Sequence, residues 1–244
     1  MLDEVNGTFV ENNTAYGDAF EGVRDHTEGH MALLEYHGWT KVQPVDLMDA
    51  EGPDVVWDIP NGKVLKTNTL GKNIENYDSM LVLAHFKGHP MGGYGGALKQ
   101  ISIGCASSAG KALIHSGGVS TDRFECWNKH AEQNRFCEAM ADAASSVVKH
   151  FGENIAFINV MKNLSVDCDC CAVAEDPCMK DIGILCSLDP IAIDQACLDL
   201  VYAATDDPGQ AHMLERIESR NGVHTIEAAA KLGYGCLLYT SDAA

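Results

Sequence analysis

The segment that most constrains the fold is 155–160, which reads Ile-Ala-Phe-Ile-Asn-Val. It is apolar on both faces and too short for a buried helix, a pattern typical of a central strand in a parallel sheet. Segments 81–84 and 181–186 also read as buried strands, and helical patterns separate the three along the chain. The sequence therefore predicts an α/β fold with a mixed, largely parallel sheet flanked by helices.

The helices are predicted from apolar periodicity and from their end signals. Asp189 followed by Pro190 is a helix start, because Asp caps free N–H groups and Pro suits the first helical position. Two roles stay open for Asp194 in the first turn of that helix: it favours the helix dipole, or it faces a site. The clearest buried stripe is Phe136, Met140, Ala144 and Val147. The predicted helices cover 18–37, 129–150, 191–203, 210–219 and 224–232.

Length and charge narrow the classes of function. The 244 residues are enough for a real core, and we expect one α/β domain over 1–235. The net charge of −18, from 35 acidic and 17 basic residues, opposes binding to nucleic acid or to an anionic membrane surface. No apolar run approaches the ~20 residues of a membrane span. We expect a cytoplasmic protein with a small-molecule or redox partner.

Residues 81–111 begin with an apolar strand and continue with histidines, lysines and several glycines. His85 and His89 follow the strand, and their spacing suits a metal on a helix but guarantees nothing in a loop. Lys111 comes after a run of small residues that could form an anion nest of backbone N–H groups. A glycine-rich turn with two surface histidines would explain the same pattern. The glycines that could approach a bound cofactor are Gly92, Gly93, Gly95 and Gly96.

Ten cysteines are many for this length, and their clustering points to metal or redox chemistry in a reducing compartment. Cys168 and Cys170 follow the central strand, and soft thiolates suit zinc, copper(I) and iron–sulfur clusters. Buried or adventitious thiols are the alternative.

Three histidines of the predicted helix 18–37 fall near one stripe: His26, His30 and His37. They could reach a metal, but a solvated helix face explains them better.

The motifs together carry a resemblance to a known family. His85-Phe-Lys-Gly-His89 with the glycine loop, then Asp167-Cys-Asp-Cys170 and Asp189-Pro-Ile-Ala-Ile-Asp194, resemble domain of unknown function 362. Members are often labelled uncharacterised iron–sulfur centre proteins. In the leading interpretation, the protein binds an iron–sulfur cluster or a transition metal through Cys168 and Cys170, with His85, His89 or His115 nearby.

The chain departs from this family in three places. Many members carry two ferredoxin-type cysteine motifs after the histidine that matches His115, and this chain has none. Members also have a region before the turn that matches Asn13 to Tyr16, so we expect an N-terminally truncated chain. Residues 236–244 resemble the translation of a sequencing adapter and are left out of the fold prediction.

Three functions remain open from the sequence. The first is a metal or iron–sulfur centre with a redox role. The second is a non-catalytic module that binds an anionic small molecule through the glycine loop and Lys99 or Lys111. The third is a metal-dependent isomerase, because the glycines, lysine and histidines are also similar to the nickel-dependent lactate racemase family. That similarity would make Lys99 and His115 catalytic.

Overall fold

A computed structural model of the chain describes residues 7–15, 22–171 and 173–239. The helix predicted at 18–37 and the segment 236–244 extend partly outside these residues. The sequence also predicts a weak strand at 5–10 and a polar turn at 12–17, and both extend partly outside them as well.

The described part of the chain contains nine strands and seven helices. The strands are β1 (Phe9–Glu11), β2 (Val45–Leu47), β3 (Val55–Asp58), β4 (Thr67–Leu70), β5 (Met80–His85), β6 (Lys87–His89), β7 (Gly93–Gly95), β8 (Ile155–Met161) and β9 (Gly183–Ser187). The helices are α1 (Thr27–Tyr36), α2 (Ala97–Lys99), α3 (Ser108–His115), α4 (Gln133–Phe151), α5 (Pro190–Ala203), α6 (Gln210–Ser219) and α7 (Val223–Leu232). The α/β class is confirmed.

The central sheet has three strands in the order β5–β8–β9. The pair β5–β8 is parallel and the pair β8–β9 is antiparallel, so the sheet is mixed. The predicted strand 155–160 is its centre, because β8 has neighbours on both sides. Three two-stranded pairs surround it: β1–β2 is parallel, whereas β3–β4 and β6–β7 are antiparallel.

The core lies on one face of this sheet. Alternate residues of β8, including Phe157 and Met161, are buried against α2 and α5, and α4 packs on α7 behind them. The predicted stripe of α4 from Phe136 to Val147 is buried, as expected. Burial of such apolar stripes is the main force that holds helices on a sheet.

The other face of the central sheet is apolar and uncovered by the described residues. Leu81 is 57% exposed, Leu83 61% and Ile184 67%. The register places Ile158 beside Leu83 and Val160 beside Ile184, so these side chains form one patch. We call these five residues the open sheet face.

Local signals at helix ends account for several boundaries. Asp189 accepts hydrogen bonds from the N–H groups of Ile191 at 2.8 Å and Ala192 at 3.1 Å, which confirms the predicted cap. Gly233 ends α7 with φ of +77°, a conformation that favours glycine. The predicted short strand at 41–46 instead begins at Val45, because 39–41 form a 3-10 turn.

All ten cysteines are free thiols in the structure. Among the described residues, no helix is both long enough and apolar enough to cross a bilayer.

Candidate functional site

The glycine-rich run after β5 folds as a β-hairpin. Lys87 pairs with Gly95 and His89 with Gly93, so β6 and β7 run antiparallel on either side of Pro90 to Gly92. Lys87 and His89 are buried, although the sequence suggested a surface turn.

The cysteine-containing loop after β8 lies directly against this hairpin. The N–H of Gly88 donates to the carbonyl oxygen of Ser165 at 2.7 Å. A Cβ at Gly88 would overlap the backbone of Val166, so only glycine permits this close approach. The contact brings Cys168, two residues beyond Val166, next to His89, one residue beyond Gly88.

His89, Cys168 and Cys170 form one group of candidate metal ligands. One donor atom from each residue lies within 4.8 Å of the others. Metal–thiolate bonds of about 2.3 Å and metal–imidazole bonds of about 2.0 Å place ligand atoms roughly 4 Å apart. A small inward movement would therefore bring all three atoms to bonding distance of a single ion.

The surroundings of Cys168 favour its thiolate form. The thiol of Cys170 donates to it and, despite the opposing effect of burial, lowers the pKa of Cys168 far below its usual range. The positive charge of Lys99 and a hydrogen bond with His89 act in the same direction. The backbone N–H of Cys170 also donates to Cys168 Sγ at 3.4 Å. A thiolate is the form that binds metals.

His89 is oriented by the hairpin backbone. Its Nδ1 accepts hydrogen bonds from the N–H groups of Met91 at 3.1 Å and Gly92 at 2.9 Å. Burial lowers the pKa of His89. Because Nδ1 accepts two hydrogen bonds, the proton of the neutral ring form lies on Nε2, the atom left for the bond with Cys168. A metal would have to replace this proton on Nε2, as it would the thiol proton of Cys170.

The structure does not bring His85 into this group. Its Nδ1 lies 2.9 Å from Asp169 Oδ2 and its Nε2 lies 2.6 Å from the carbonyl oxygen of Lys162. The hydrogen bond with Asp169 raises the pKa of His85. Lys87 Nζ also lies 2.9 Å from Asp169 Oδ2. Because Asp169 stands between the two cysteines, His85 and Lys87 fix the cysteine loop rather than supply ligand atoms.

The two predicted lysines lie on helices α2 and α3, outside the three candidate ligands. Lys99 ends α2, close enough for its charge to lower the pKa of Cys168. Lys111 is buried on α3 and donates to the carbonyl oxygen of Ala106 at 2.6 Å. Burial lowers the pKa of Lys111 to about 8, which the nearby Asp49 partly opposes.

His115 lies in an aromatic environment at the end of α3, outside the group. Its Nδ1 donates to the carbonyl oxygen of Lys111 at 2.7 Å, and its ring stacks on Phe136 with centroids 5.1 Å apart. Burial lowers the pKa of His115 to about 3. It is therefore a neutral, packed side chain at any ordinary pH.

The glycine loop surrounds a carboxylate of the protein itself. Asp194 accepts hydrogen bonds from the N–H groups of Ala97 at 2.8 Å and Leu98 at 2.9 Å. A Cβ at Gly96 would lie 2.5 Å from Asp194 Oδ1, so glycine makes room for it. Asp194 also receives donors from Tyr94 and Asn159. The sequence left two roles open for Asp194, the helix dipole or a site. The structure gives it a different role, because its carboxylate joins the hairpin to α2, α5 and β8.

The remaining glycines of the loop also make contacts within the protein. Gly92 donates its N–H to His89, and Gly93 has φ of +81° where it packs on Gly222. Gly95 lies beside the Lys87 side chain.

The three histidines of the predicted stripe do not form one group of ligands. His30 is buried and its Nδ1 lies 3.3 Å from Asn13 Oδ1. His26 is paired with Asp25 at 2.8 Å, and His37 is exposed.

The model of one family, described as Domain of unknown function (DUF362), matches residues 2–199. The chain belongs to the DUF362 family. No curated protein and no solved structure matches it. The matched range of this DUF362 chain includes the hairpin, the cysteine loop and Asp194.

Sequence reasoning on the DUF362 chain missed the roles of Lys87, Asp169 and Asn159. A signal was present for Asn159, since an amide inside an apolar strand needs a partner in the core. No signal was present for Asp169, because its partner His85 lies 84 residues away in sequence.

Proposed function

We propose that this protein binds one soft transition-metal ion through Cys168 and Cys170, with His89 as a third ligand, and that the centre serves redox chemistry. The observation that carries the proposal is the convergence of the three donor atoms within 4.8 Å. Thiolate and imidazole together suit zinc, copper or iron better than magnesium or calcium. Only copper and iron fit the redox role, because zinc has no redox chemistry.

The number of ligands favours a single ion over a four-iron cluster. A four-iron cluster usually takes four cysteines. Among the described residues, the group offers two cysteines and one histidine. Cys171 follows Cys170 directly and shares a side-chain hydrogen bond with it, but it is not one of the three convergent donors. The Sγ of Cys178, further along the loop, faces the carbonyl oxygen of Leu164 at 3.4 Å. Three protein ligands leave one position open, as in catalytic metal sites.

The protein residues around the group have separate tasks in this proposal. The lowered pKa of Cys168 favours the thiolate, which reduces the competition between a proton and an ion there. Lys99 offsets the negative charge of the thiolates. His85 and Lys87 hold Asp169, and through it the spacing of the two cysteines. A bound ion would supply one-electron redox chemistry or Lewis acidity.

The alternative functions have less support. The N–H groups of Ala97, Leu98 and Gly92 are used within the protein, which weakens an anion site built on the glycine loop. The isomerase alternative needs His115 as an acid or base, and its burial beside Phe136 does not favour that role.

Metal content and Co²⁺ titration of anaerobically purified protein test the proposal. We expect about one Co²⁺ per chain and a thiolate-to-metal charge-transfer band. Cys168→Ser and Cys170→Ser should each remove the band, whereas Cys186→Ser, at an exposed position of β9, should keep it. His89→Gln should weaken binding less than either cysteine variant does.

Three results would decide against parts of this proposal. A folded wild-type protein that takes up neither Co²⁺ nor Zn²⁺ would refute a metal centre here. Stoichiometric iron with acid-labile sulfide would replace the single ion by a cluster. A reductant that leaves the spectrum of the iron-loaded protein unchanged would refute the redox role.

We also propose that the protein works in a reducing compartment such as the cytoplasm. Ten free thiols, several of them exposed, would not persist in an oxidising one.

A further inference from the structure

The backbone folds Cys168 and Cys170 into one tight turn. The N–H of Cys171 donates to the carbonyl oxygen of Cys168 at 2.9 Å, and the N–H of Cys170 donates to Cys168 Sγ at 3.4 Å. The thiol of Cys170 also donates to Cys168, and the two sulfurs lie within 4.8 Å of each other. Rotation of the two side chains would bring the sulfurs to the roughly 2.05 Å of a disulfide bond.

A disulfide between Cys168 and Cys170 would be easy to reduce. It would close a small ring across one intervening residue, and such a ring is strained. Strained disulfides have high reduction potentials and are typical of labile, regulatory or catalytic pairs. Oxidation of this pair would therefore be reversible by an ordinary dithiol.

A groove with a volume of about 410 Å³ opens beside this turn. Cys170 lines the groove, whereas the side chain of Cys168 is buried. An oxidant that enters the groove therefore meets the sulfur of Cys170 first, with the sulfur of Cys168 next to it. An accessible thiol beside a second, resolving thiol is the usual arrangement in redox-sensing proteins.

The groove has an apolar wall. Leu33 and Leu34 of α1 and Trp39 of the following 3-10 turn line it. Trp39 packs edge-to-face on Phe9 with ring centroids 5.1 Å apart, which holds its ring in place. Such a wall binds the hydrocarbon part of a small molecule.

The charged residues of the groove do not favour a ligand of either sign. Arg24 lines the groove together with two carboxylates, Glu11 and Asp169. Glu11 lies within the field of Arg24, and Asp169 is paired with Lys87. An uncharged molecule loses nothing in these surroundings, and a hydroperoxide is an uncharged oxidant of thiols.

We propose that Cys170 and Cys168 form a redox-active pair, which a small organic hydroperoxide oxidises to a disulfide and a dithiol reductant restores. In the first step, the sulfur of Cys170 forms a bond with the terminal oxygen of the hydroperoxide. The O–O bond breaks, and the leaving alkoxide takes up the thiol proton to become an alcohol. The product at Cys170 is a sulfenic acid.

In the second step, the sulfur of Cys168 attacks the sulfur of Cys170. The S–S bond forms, the S–O bond breaks, and the hydroxide leaves with a proton as water. Counted as two thiols, the pair gives up two electrons and two protons, and the hydroperoxide becomes one alcohol and one water. The dithiol then reduces the disulfide by thiol–disulfide exchange and is itself oxidised to a disulfide. None of these steps requires a bound metal.

Thiol labelling of the chelator-treated full chain, before and after exposure to cumene hydroperoxide, tests the inference. Trypsin releases residues 163–180 as one peptide, which contains Cys168, Cys170, Cys171 and Cys178. Mass spectrometry should find four N-ethylmaleimide labels before oxidation, two labels and an internal disulfide after it, and four labels again after dithiothreitol. Four labels after oxidation, or loss of one label that dithiothreitol does not restore, would overturn the inference.

Serine variants identify the two partners. Cys171 is the matched control, because it also lines the groove and follows Cys170 directly. Cys171→Ser should still lose two labels on oxidation, whereas Cys170→Ser and Cys168→Ser should form no disulfide. If Cys168→Ser kept the loss of two labels and Cys171→Ser abolished it, the disulfide would join Cys170 to Cys171 and the inference would be wrong.

A variant of the apolar wall tests entry through the groove. Leu34→Asp should slow oxidation by cumene hydroperoxide about tenfold, because it removes an apolar contact, and should change the rate with hydrogen peroxide less than about twofold. Tyr36→Asp adds the same charge to α1 at a position that is 85% exposed and outside the groove, and should change either rate less than about twofold. Equal rates with cumene hydroperoxide in Leu34→Asp and the wild type would rule out the groove as the site of the organic hydroperoxide.

This proposal and the proposed metal centre fail separately. The disulfide is measured on the metal-free protein, and Co²⁺ uptake is measured on the reduced protein. A protein that forms the disulfide but takes up no Co²⁺ refutes the metal centre alone. A protein that takes up Co²⁺ but keeps all its labels after oxidation refutes the redox pair alone.

Discussion

Asp169 is the residue through which the hairpin controls the cysteine loop. Its carboxylate contacts His85 at 2.9 Å from β5 and Lys87 at 2.9 Å from β6. Because Asp169 lies between Cys168 and Cys170 in the chain, its contacts with His85 and Lys87 set the separation of the two sulfurs without contacting either sulfur.

Loss of this contact should weaken metal binding more than it weakens the fold. We expect His85→Ala to lower Co²⁺ affinity about tenfold or more, as removal of outer-sphere partners commonly does. The free energy of unfolding should fall by only about 1 kcal/mol, because Asp169 is more than half exposed. Competition titration with a chelator and urea unfolding measure the two effects. His212→Ala, at a surface histidine, is the matched control; an equal loss of affinity in it would contradict the prediction.

His115 should make the fold sensitive to acid. Its pKa is about 3 in the folded state and about 6.5 in an unfolded chain, so the unfolded chain binds the proton first. Its contribution to stability is complete above pH 6.5 and is lost as the pH falls from 6.5 towards 3.

The loss between pH 7 and pH 5 should be about 2 kcal/mol from this residue. Urea unfolding at both pH values measures it. His115→Gln should unfold with a smaller difference between the two, and His212→Gln should behave as the wild type. Burial raises the pKa of Asp194 to about 6, which acts in the opposite direction between about pH 4 and pH 6, so comparison of the variants isolates His115. An unchanged difference in His115→Gln would show that His115 is not neutral in the fold.

At the scale of elements, one carboxylate joins four of them. Asp194 of α5 accepts donors from Tyr94 of β7, Ala97 and Leu98 of α2, and Asn159 of β8, all between 2.8 and 3.2 Å. The hairpin that carries His89 is therefore positioned from the core outward.

Asp194→Asn should destabilise the protein by about 3 kcal/mol at pH 7.5. The amide turns an N–H group towards buried donors, and unsatisfied buried groups of this kind are costly. Asp199→Asn lies on the exposed side of the same helix and should change the stability by less than about 0.5 kcal/mol. Urea unfolding compares the two, and similar values for both would contradict the assigned role of Asp194.

Sequence patterns predicted the elements better than the site. The strand 155–160, the helix at 210–219 and the Asp189 cap follow from local periodicity and end signals, and each is present. The proximity of Cys168 to His89 was expected only from the family resemblance. The sequence indicated a glycine-rich loop where the structure has a hairpin. The register of the hairpin depends on backbone pairing between Lys87 and Gly95. The local sequence pattern does not predict which residues pair in this way.

The roles of the site residues depend on contacts across long stretches of chain. His85 was taken for a ligand because histidine has the right chemistry; its partner Asp169 became visible only in three dimensions.

At the scale of the whole molecule, the open sheet face is the largest departure from a typical α/β protein, in which helices cover both faces. We expect the protein to bind the dye 8-anilinonaphthalene-1-sulfonate through it. The double variant Leu81→Lys, Leu83→Lys should bind less dye, with a change in stability within about 1 kcal/mol because both side chains are exposed. Leu200→Lys, on α5, is the control; equal dye binding by the double variant and the wild type would place the dye elsewhere.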